Sequence, residues 1–416
     1  MNGSYSNGRG YFVNTLIKSP VIDHACGSSI SCEGGFMAYQ SLQILSPTIT
    51  HNNTFPGVNT SVQSNNGQPW STSGDNDPIA LQSASGLVLS NPTIAGGWLS
   101  PGGNCAAIHH FSGGALSGCA ITGFQNDGSG HVQAILSTSG GANPDQLQSG
   151  DRLSIYSTSP TTSYLEKVWT VTEGADASHW TLNGSTWNSS YSSVTGSSQR
   201  LTQVALGGTI TSPFICGFSN SGYVAGIWMH GQNYPEITDT SFSIVTPIVA
   251  NCVGTAYALV GAQSVGTPST LYNATAYCTG GDNVCYIAYG AANWKVRNGI
   301  FVGTGSGAKG LYVDSSGVGG IDSDYNCLYA PSGSAGHTET HSISSNPNFI
   351  NGSGSFSGPF DFQIMGTSPC ANAGVAVSGV TTDFGGNSFQ NPPSMGAWEW
   401  QVLGERSKAR VGAKMY

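Results

Sequence analysis

Residues 294–303 read WKVRNGIFVG, an asparagine set between two short runs rich in apolar residues. The same beat returns in LSNPTIAGG (89–97), ALSGCAITG (115–123), EITDTSFSI (236–244), LYNATAYCT (271–279) and GIDSDYNCL (320–328). Each copy starts apolar, passes through Asn, Asp or Gly, and returns to small and apolar residues. Aligned on the polar position, the copies give Asn91, Gly118, Asp239, Asn273, Asn298 and Asp324. The intervals 91–118, 273–298 and 298–324 are 27, 25 and 26 residues, and ILSPTITHNN (44–53) nearly repeats VLSNPTIAGG (88–97). Periods of this length mark solenoids and propellers. The units hold short strands separated by Gly, Ser, Asn and Thr and show no helical period. A propeller blade needs about forty residues and a leucine-rich repeat needs L-x-x-L-x-L, so the pattern predicts an all-β parallel β-helix. Windings stacked about 4.8 Å apart set equivalent residues directly above one another. Asn and Asp suit the recurring turn because they tolerate a left-handed backbone and bond locally. Stacked amides can also bond to each other.

The interval from Gly118 to Asp239 is 121 residues, too long for one winding, so residues 126–213 are predicted to loop out as an inserted β-module. That segment holds Arg152, Lys167, Arg200 and the tryptophans 169, 180 and 187, and it alternates like a small antiparallel unit. Its G-D-x-(apolar)…W-T-V-T…L-N-G-S-T pattern resembles a small β-module inserted in many phage proteins. The predicted organisation is N-terminal windings 1–125, the module 126–213, further windings 214–330, a closing segment 331–402 and a basic tail 403–416.

At the C-terminal end, NPNF (346–349), DFQIMGTSPCANAG (361–374), DFGGN (383–387) and GAWEW (396–400) resemble the closing segment of bacterial right-handed β-helix proteins. These belong to the pectate-lyase-like superfamily and include those called choice-of-anchor Q proteins. The resemblance implies a right-handed parallel β-helix, a fold whose bearers include lyases, glycosidases, viral tail spikes and adhesins. It names no chemistry by itself.

Composition narrows the partners. The chain has 416 residues, 59 of them Gly, a net charge of −9, and charged residues at only 8%. Eight of its twelve cations lie before residue 405, so the body lacks the basic face that nucleic-acid binding needs. No run approaches the roughly 18 apolar residues of a membrane span. The ten cysteines form no C-x-x-C pattern. Cys26/Cys32 and Cys278/Cys285 are spaced to staple loops, and burial as thiols is the other reading. No basic-then-apolar leader opens the sequence. The expectation is an extracellular location, as a secreted protein or on a virion surface, with a homotrimer or virion partner.

Counting back nine residues from the aligned polar positions gives Gln82, His109, His230 and Tyr289 among others, with Trp228 beside them. His109 and His230 are expected on adjacent windings, facing solvent, in a strip suited to sugar: aromatic faces for pyranose rings, His, Gln and Tyr for hydroxyls. Asp75 and Asp77 in GDNDPIAL (74–81) precede a strand near that strip. Paired carboxylates serve as glycosidase acid and base when about 5–9.5 Å apart. They would equally suit Ca²⁺, the one cofactor the sequence points to, and D-N-D-P is also ordinary turn chemistry. Asp127 and Glu236 are further carboxylates of interest. A polyuronate lyase needs cations to neutralise its substrate, and the coils hold only Arg9, Lys18, Lys295, Arg297 and Lys309. Lys295 and Arg297 flank Val296 and share a face. An acidic, cation-poor chain suits an uncharged or cationic glycan better. The functions expected are recognition of an extracellular polysaccharide, with hydrolysis at Asp75 and Asp77, or a non-catalytic fibre or adhesin.

Overall fold

The computed structural model describes the chain except residues 1–11, 14, 24–29, 33–38, 41, 51–77, 83, 99–104, 112–118, 138–146, 148, 151, 177, 202–205, 230–239, 262–263, 280–282, 288–291, 314–320, 353–355, 357 and 402–416. Among the described residues the chain is all-β, without an α-helix. Eight strands stack as one parallel sheet in the order Leu16–Lys18, Gln43–Leu45, Leu87–Ser90, Leu206–Thr211, Thr240–Val245, Ser264–Tyr272, Ala292–Arg297 and Ile321–Asp324. Each continues through a tight turn into a strand of a second parallel sheet, from Val21–Asp23 to Cys327–Tyr329. That sheet has 13 strands because the long strands Phe214–Met229 and Ile248–Gly261 run on into a third side, beside Cys105–Phe111, Asn283–Ile287 and Lys309–Val313.

Register explains the core. In the eight-strand sheet Ile17, Ile44, Leu89, Ile210, Ile244, Leu271 and Val296 are successive register partners. Across the turn Ile22, Ile49, Ile94, Ile215, Val249, Ala276, Phe301 and Leu328 form a second such column. Both columns belong to one buried cluster. Each fully buried aliphatic side chain contributes about 1.5–3 kcal/mol relative to exposure. A slip of one residue would turn a whole column to solvent, so the pairing is fixed.

Between the two columns one residue per winding has a left-handed backbone: Ser19, Ser46, Asn91, Ser212, Thr246, Asn273, Asn298 and Tyr325, with φ between 46° and 58°. The sequence placed Asn91, Asn273 and Asn298 in this column correctly. It placed Asp324 there too, but Asp324 pairs with Arg297 in the strand, and its successor Tyr325 makes the turn. Gly118 and Asp239 lie outside the described residues. Thr211 pairs with both Ser90 and Val245, so the next turn positions after Asn91 are Ser212 and Thr246. Proline follows the turn residue at positions 20, 47, 92, 213 and 247.

The inserted unit is a closed barrel of six strands, Cys119–Asn126, Val132–Leu136, Arg152–Ser159, Val168–Glu173, His179–Leu182 and Thr195–Leu201. Its strands run from Cys119 to Leu201 rather than from 126 to 213, because Cys119–Ile121 pair with Gly196–Ser198 and Leu206–Thr211 is already in the stack. Trp169 and Trp180 fill the barrel core. In the closing segment Ser334 and Ile343 bridge in parallel to Lys309 and Cys327 at the end of the stack, and residues 346–400 cover a flank. Phe356, Phe362, Met395 and Trp398 pack on the outward Phe214, Ile248 and Ile300 of the second sheet. Cys278 and Cys285 are free buried thiols, so that pair forms no staple here, and Cys26 lies outside the described residues.

Asn298 joins the stack to its cover. Its Nδ2 donates to Asn273 Oδ1 at 3.4 Å and to the Val375 carbonyl at 2.8 Å, while its Oδ1 accepts from the Val375 N–H at 2.9 Å. Replacing it with Leu strands those buried groups. Asn298→Leu is expected to lower stability by about 2 kcal/mol. Asn91→Gly, at an exposed copy of the same turn, should change stability by no more than about 0.5 kcal/mol. Urea midpoints of the two variants check both values.

Candidate functional site

The side-chain strip expected from the sequence is rearranged. His109 is 2% exposed, not solvent-facing. It pairs with Trp228 and Ala80, not with His230, and Gln82 pairs with Phe111. The nine-residue count began from Gly118 and Asp239, which are not among the described turn positions, so it missed by two residues. His109 and Trp228 stack, with ring centroids 4.9 Å apart and planes 13° off parallel. Their row continues through Val260 to Tyr286 and Tyr312. The two tyrosines stack at 5.5 Å, and Lys309 Nζ lies 3.8 Å from the Tyr312 centroid. With His109 buried and its ring against Trp228, the row lacks the solvent-facing His platform expected for a sugar. His230, Tyr289, Asp75, Asp77 and Glu236 lie outside the described residues, and Gln82 is described in its backbone alone.

The outer face of the eight-strand sheet offers a different arrangement. With alternate residues turned inward, the outward positions form two rows: Ser90, Thr211, Val245, Tyr272 and Arg297, and beside it Val88, Thr209, Ser243, Thr270 and Lys295. Hydroxyls touch between windings: Thr211 Oγ1 donates to Ser90 Oγ at 3.3 Å, and Thr270 Oγ1 to Ser243 Oγ at 3.2 Å. Ser212 and Thr246 share a hydrogen bond of 2.9 Å in the turn column. A strap from the closing segment crosses this face and makes a groove of about 290 Å³. Thr209, Thr211, Ser243 and Tyr272 form its floor, and Thr381 and Thr382 its far wall. On the other side of the strap, a cavity of about 360 Å³ sits against Asn273, Asn298 and Phe389.

Both ends of the strap are held. Asn298 grips Val375, as described above. Asp383 anchors the other end: its Oδ1 accepts the N–H groups of Gly385 at 2.9 Å and Asn387 at 2.7 Å, and its Oδ2 accepts the Glu399 N–H at 3.1 Å. Glu399 in turn accepts the Ser394 N–H at 2.9 Å and its hydroxyl at 2.7 Å. Nothing in the sequence joined residues 378–382 to strands more than a hundred positions earlier, so the groove could not be read there. The hydroxyls themselves were visible as alternate Thr and Ser in LGGTITS and TSFSIV.

The charged end of the face is partly offset by one carboxylate. Lys295 and Arg297 lie on it together, as their alternation with Trp294 and Val296 predicts. Lys295 Nζ is 3.6 Å from Asp322, and Arg297 makes a close ion pair with the same carboxylate. Asp324 accepts the backbone N–H of His341 and its ring nitrogen, each at 2.8 Å. Burial raises the Tyr272 phenol, with Arg297 pulling it down and Asp322 adding to the rise. Tyr272 therefore presents a protonated hydroxyl to the groove at neutral pH. Asp127 is spent in its own hairpin, accepting from Ser129, His131 and the His131 ring. Among the described residues no three His, Cys, Asp or Glu side chains are grouped to hold a metal ion, and no helix is long and apolar enough to cross a membrane.

No family model matches the chain, and no curated protein matches it.

Burial pushes the carboxyls of Asp383 and Glu399 up, against the pull of hydrogen bonds from Asn387 and Ser394, and the Asp383 charge adds to the rise at Glu399. With folded values above unfolded ones, their contribution to stability is full below the ordinary carboxyl range of about 4 and declines as pH rises through the folded values. Glu399→Gln lacks that titration. Its stability deficit against the parent protein should shrink as pH is raised from about 4 to 7, read from urea midpoints at each pH.

Proposed function

We propose that the chain is a right-handed parallel β-helix of the pectate-lyase-like kind that recognises an uncharged extracellular polysaccharide along its stacked outer face. The observation that carries this reading is the hydroxyl-lined groove under the 375–382 strap. A glycan chain is itself a repeating row of hydroxyls, and a row of Thr, Ser and Tyr side chains repeating at strand spacing matches it in chemistry. The groove is of the order of small-ligand pockets, roughly 300 Å³ and above. A polyuronate fits poorly, because Lys295 and Arg297 are already paired with Asp322.

The closing segment's resemblance and the low charge support a tail-spike-like virion protein or a secreted bacterial protein, acting as a homotrimer or with a virion partner. Cleavage would fall to Asp75 and Asp77 as acid and base. The described carboxylates nearest the charged end of the face favour binding without cleavage, since Asp322 and Asp324 are held by Lys295, Arg297 and His341.

A panel of neutral and acidic polysaccharides tests the reading. Binding to a neutral glycan is expected, weakened about tenfold in Tyr272→Ala, the loss typical of a contact residue. New reducing ends that vanish in Asp75→Asn or Asp77→Asn identify a hydrolase. Binding confined to polyuronates, or absorbance growth near 235 nm from unsaturated products, would overturn the proposal.

A further inference from the structure

We propose that the barrel carries a second, independent carbohydrate-binding surface, built by its two loops 160–167 and 183–194 around Tyr164, Trp187 and Tyr191. The loops meet where the Thr186 N–H donates to Tyr164 Oη at 2.8 Å. Tyr164 stacks on Tyr191 with centroids 5.7 Å apart and planes 10° off parallel. Trp187 meets Tyr191 edge-on at 6.1 Å, and Tyr164 meets Trp169 edge-on at 5.7 Å. Lys167 Nζ completes the group, 4.0 Å from the Trp169 ring and 4.9 Å from that of Tyr164.

These rings are fixed before any ligand arrives. The backbone N–H of Trp187 donates to the Gly130 carbonyl at 2.8 Å, tying its loop to the neighbouring hairpin. Asn188 Oδ1 accepts the Ser190 N–H at 3.0 Å and starts the 3-10 turn Ser189–Ser193 that carries Tyr191. A preformed surface loses little freedom on binding.

Trp187 and Tyr191 pack one side against the barrel core and keep part of their surface open. Trp169, Trp180, Phe124 and their aliphatic neighbours already fill that core, while Tyr164 is 37% exposed and Trp187 and Tyr191 are half-buried. Exposed Thr186, Asn188, Ser189, Ser190, Ser192 and Ser193 surround them. Rigid Tyr and Trp within a Ser and Asn rim is the composition of recognition loops. The rim specifies the ligand class. Ring surface suits the C–H face of a pyranose and the hydroxyls and amide suit its O–H groups.

A protein partner is disfavoured, since a stable interface takes roughly 800 Å² per side around an apolar centre. Tyr156 and Tyr164 are the only exposed large hydrophobics among the barrel's described residues. Lys167 and Glu166, neighbours in the same loop, leave no net charge to select an ionic ligand, and Glu166 also accepts from the Thr158 N–H and hydroxyl.

The test uses the full chain and a panel of malto-, cello-, xylo- and chito-oligosaccharides, followed by calorimetry and tryptophan fluorescence. Tyr164→Ala and Trp187→Ala are expected to lose about tenfold or more in affinity for a panel member. Tyr164→Phe, which keeps the ring stack, should retain binding, and far-ultraviolet circular dichroism and thermal midpoints close to those of the parent protein should accompany all three. Tyr272→Ala, in the sheet groove, should leave this binding intact, so failure of one surface is distinguishable from failure of the other. Equal affinity in the parent protein and both alanine variants would overturn the proposal. So would the absence of any panel binding, or binding that Tyr272→Ala alone removes.

Discussion

One peptide per winding stands outside the hydrogen-bond ladder, and the arrangement of the rest follows from it. At six of the eight corners the left-handed residue donates its N–H to the next winding: Ser19 to Leu45, Ser46 to Ser90, Asn91 to Thr211, Ser212 to Val245, Thr246 to Tyr272, Asn273 to Arg297. The carbonyl of the following residue accepts from the winding above, as Pro20 does from Thr48 and Pro213 from Ile248. The N–H between those two groups has no ladder role. Proline can therefore occupy the position without loss, and its ring sets φ for the strand that follows. At two corners without proline the freed amide finds a side chain instead, Gly299 on Asn326 Oδ1 at 2.6 Å and Asn326 on Glu339 Oε2 at 3.2 Å. A corner that costs no hydrogen bond can be repeated without penalty, and repetition is what brings the aliphatic columns into contact.

The same repetition positions the candidate site. Vertical rows inside the corner are Ile, Leu and Val; vertical rows outside it are Thr, Ser and Tyr. Asn298 and Asp383 hold the strap that converts the outer rows from a flat face into a groove, one at each end. The barrel interrupts the stack after Phe111 without disturbing it, since Ser90 and Thr211 remain register partners across its insertion. A unit attached in this way is free to carry a surface of its own.

How far the sequence could be read follows from which forces are local. WKVRNGIFVG displayed both strands, the turn residue and the outward cations, because alternation and turn chemistry are properties of neighbouring residues. The Ser-Pro and Thr-Pro corners at 19–20, 46–47, 212–213 and 246–247 carry an equal signal, yet only 46–47 stands out in the sequence, through its likeness to the Asn91 copy. Tyr325 displaced Asp324 from the corner because Asp324 is the strand partner of Arg297 and is claimed by His341. His109 was read as outward because strand alternation was assumed through Ala106–Ile108, yet Ala106, Ala107 and Ile108 are all fully buried. The groove escaped entirely, since its wall arrives from residues 378–382 by tertiary packing alone.

The central claim is that windings far apart in sequence lie in register at the corner column, and cross-linking tests it most directly. Ser212 Oγ and Thr246 Oγ1 are 2.9 Å apart across two windings, close to the reach of a disulfide of about 2.05 Å. In a Ser212→Cys, Thr246→Cys variant oxidised while folded, peptide mapping should recover a 212–246 disulfide, while a Ser212→Cys, Asn273→Cys variant, one winding further on, should not yield its link. Absence of the 212–246 bridge with the 212–273 bridge formed, or neither formed in folded protein, would contradict the account.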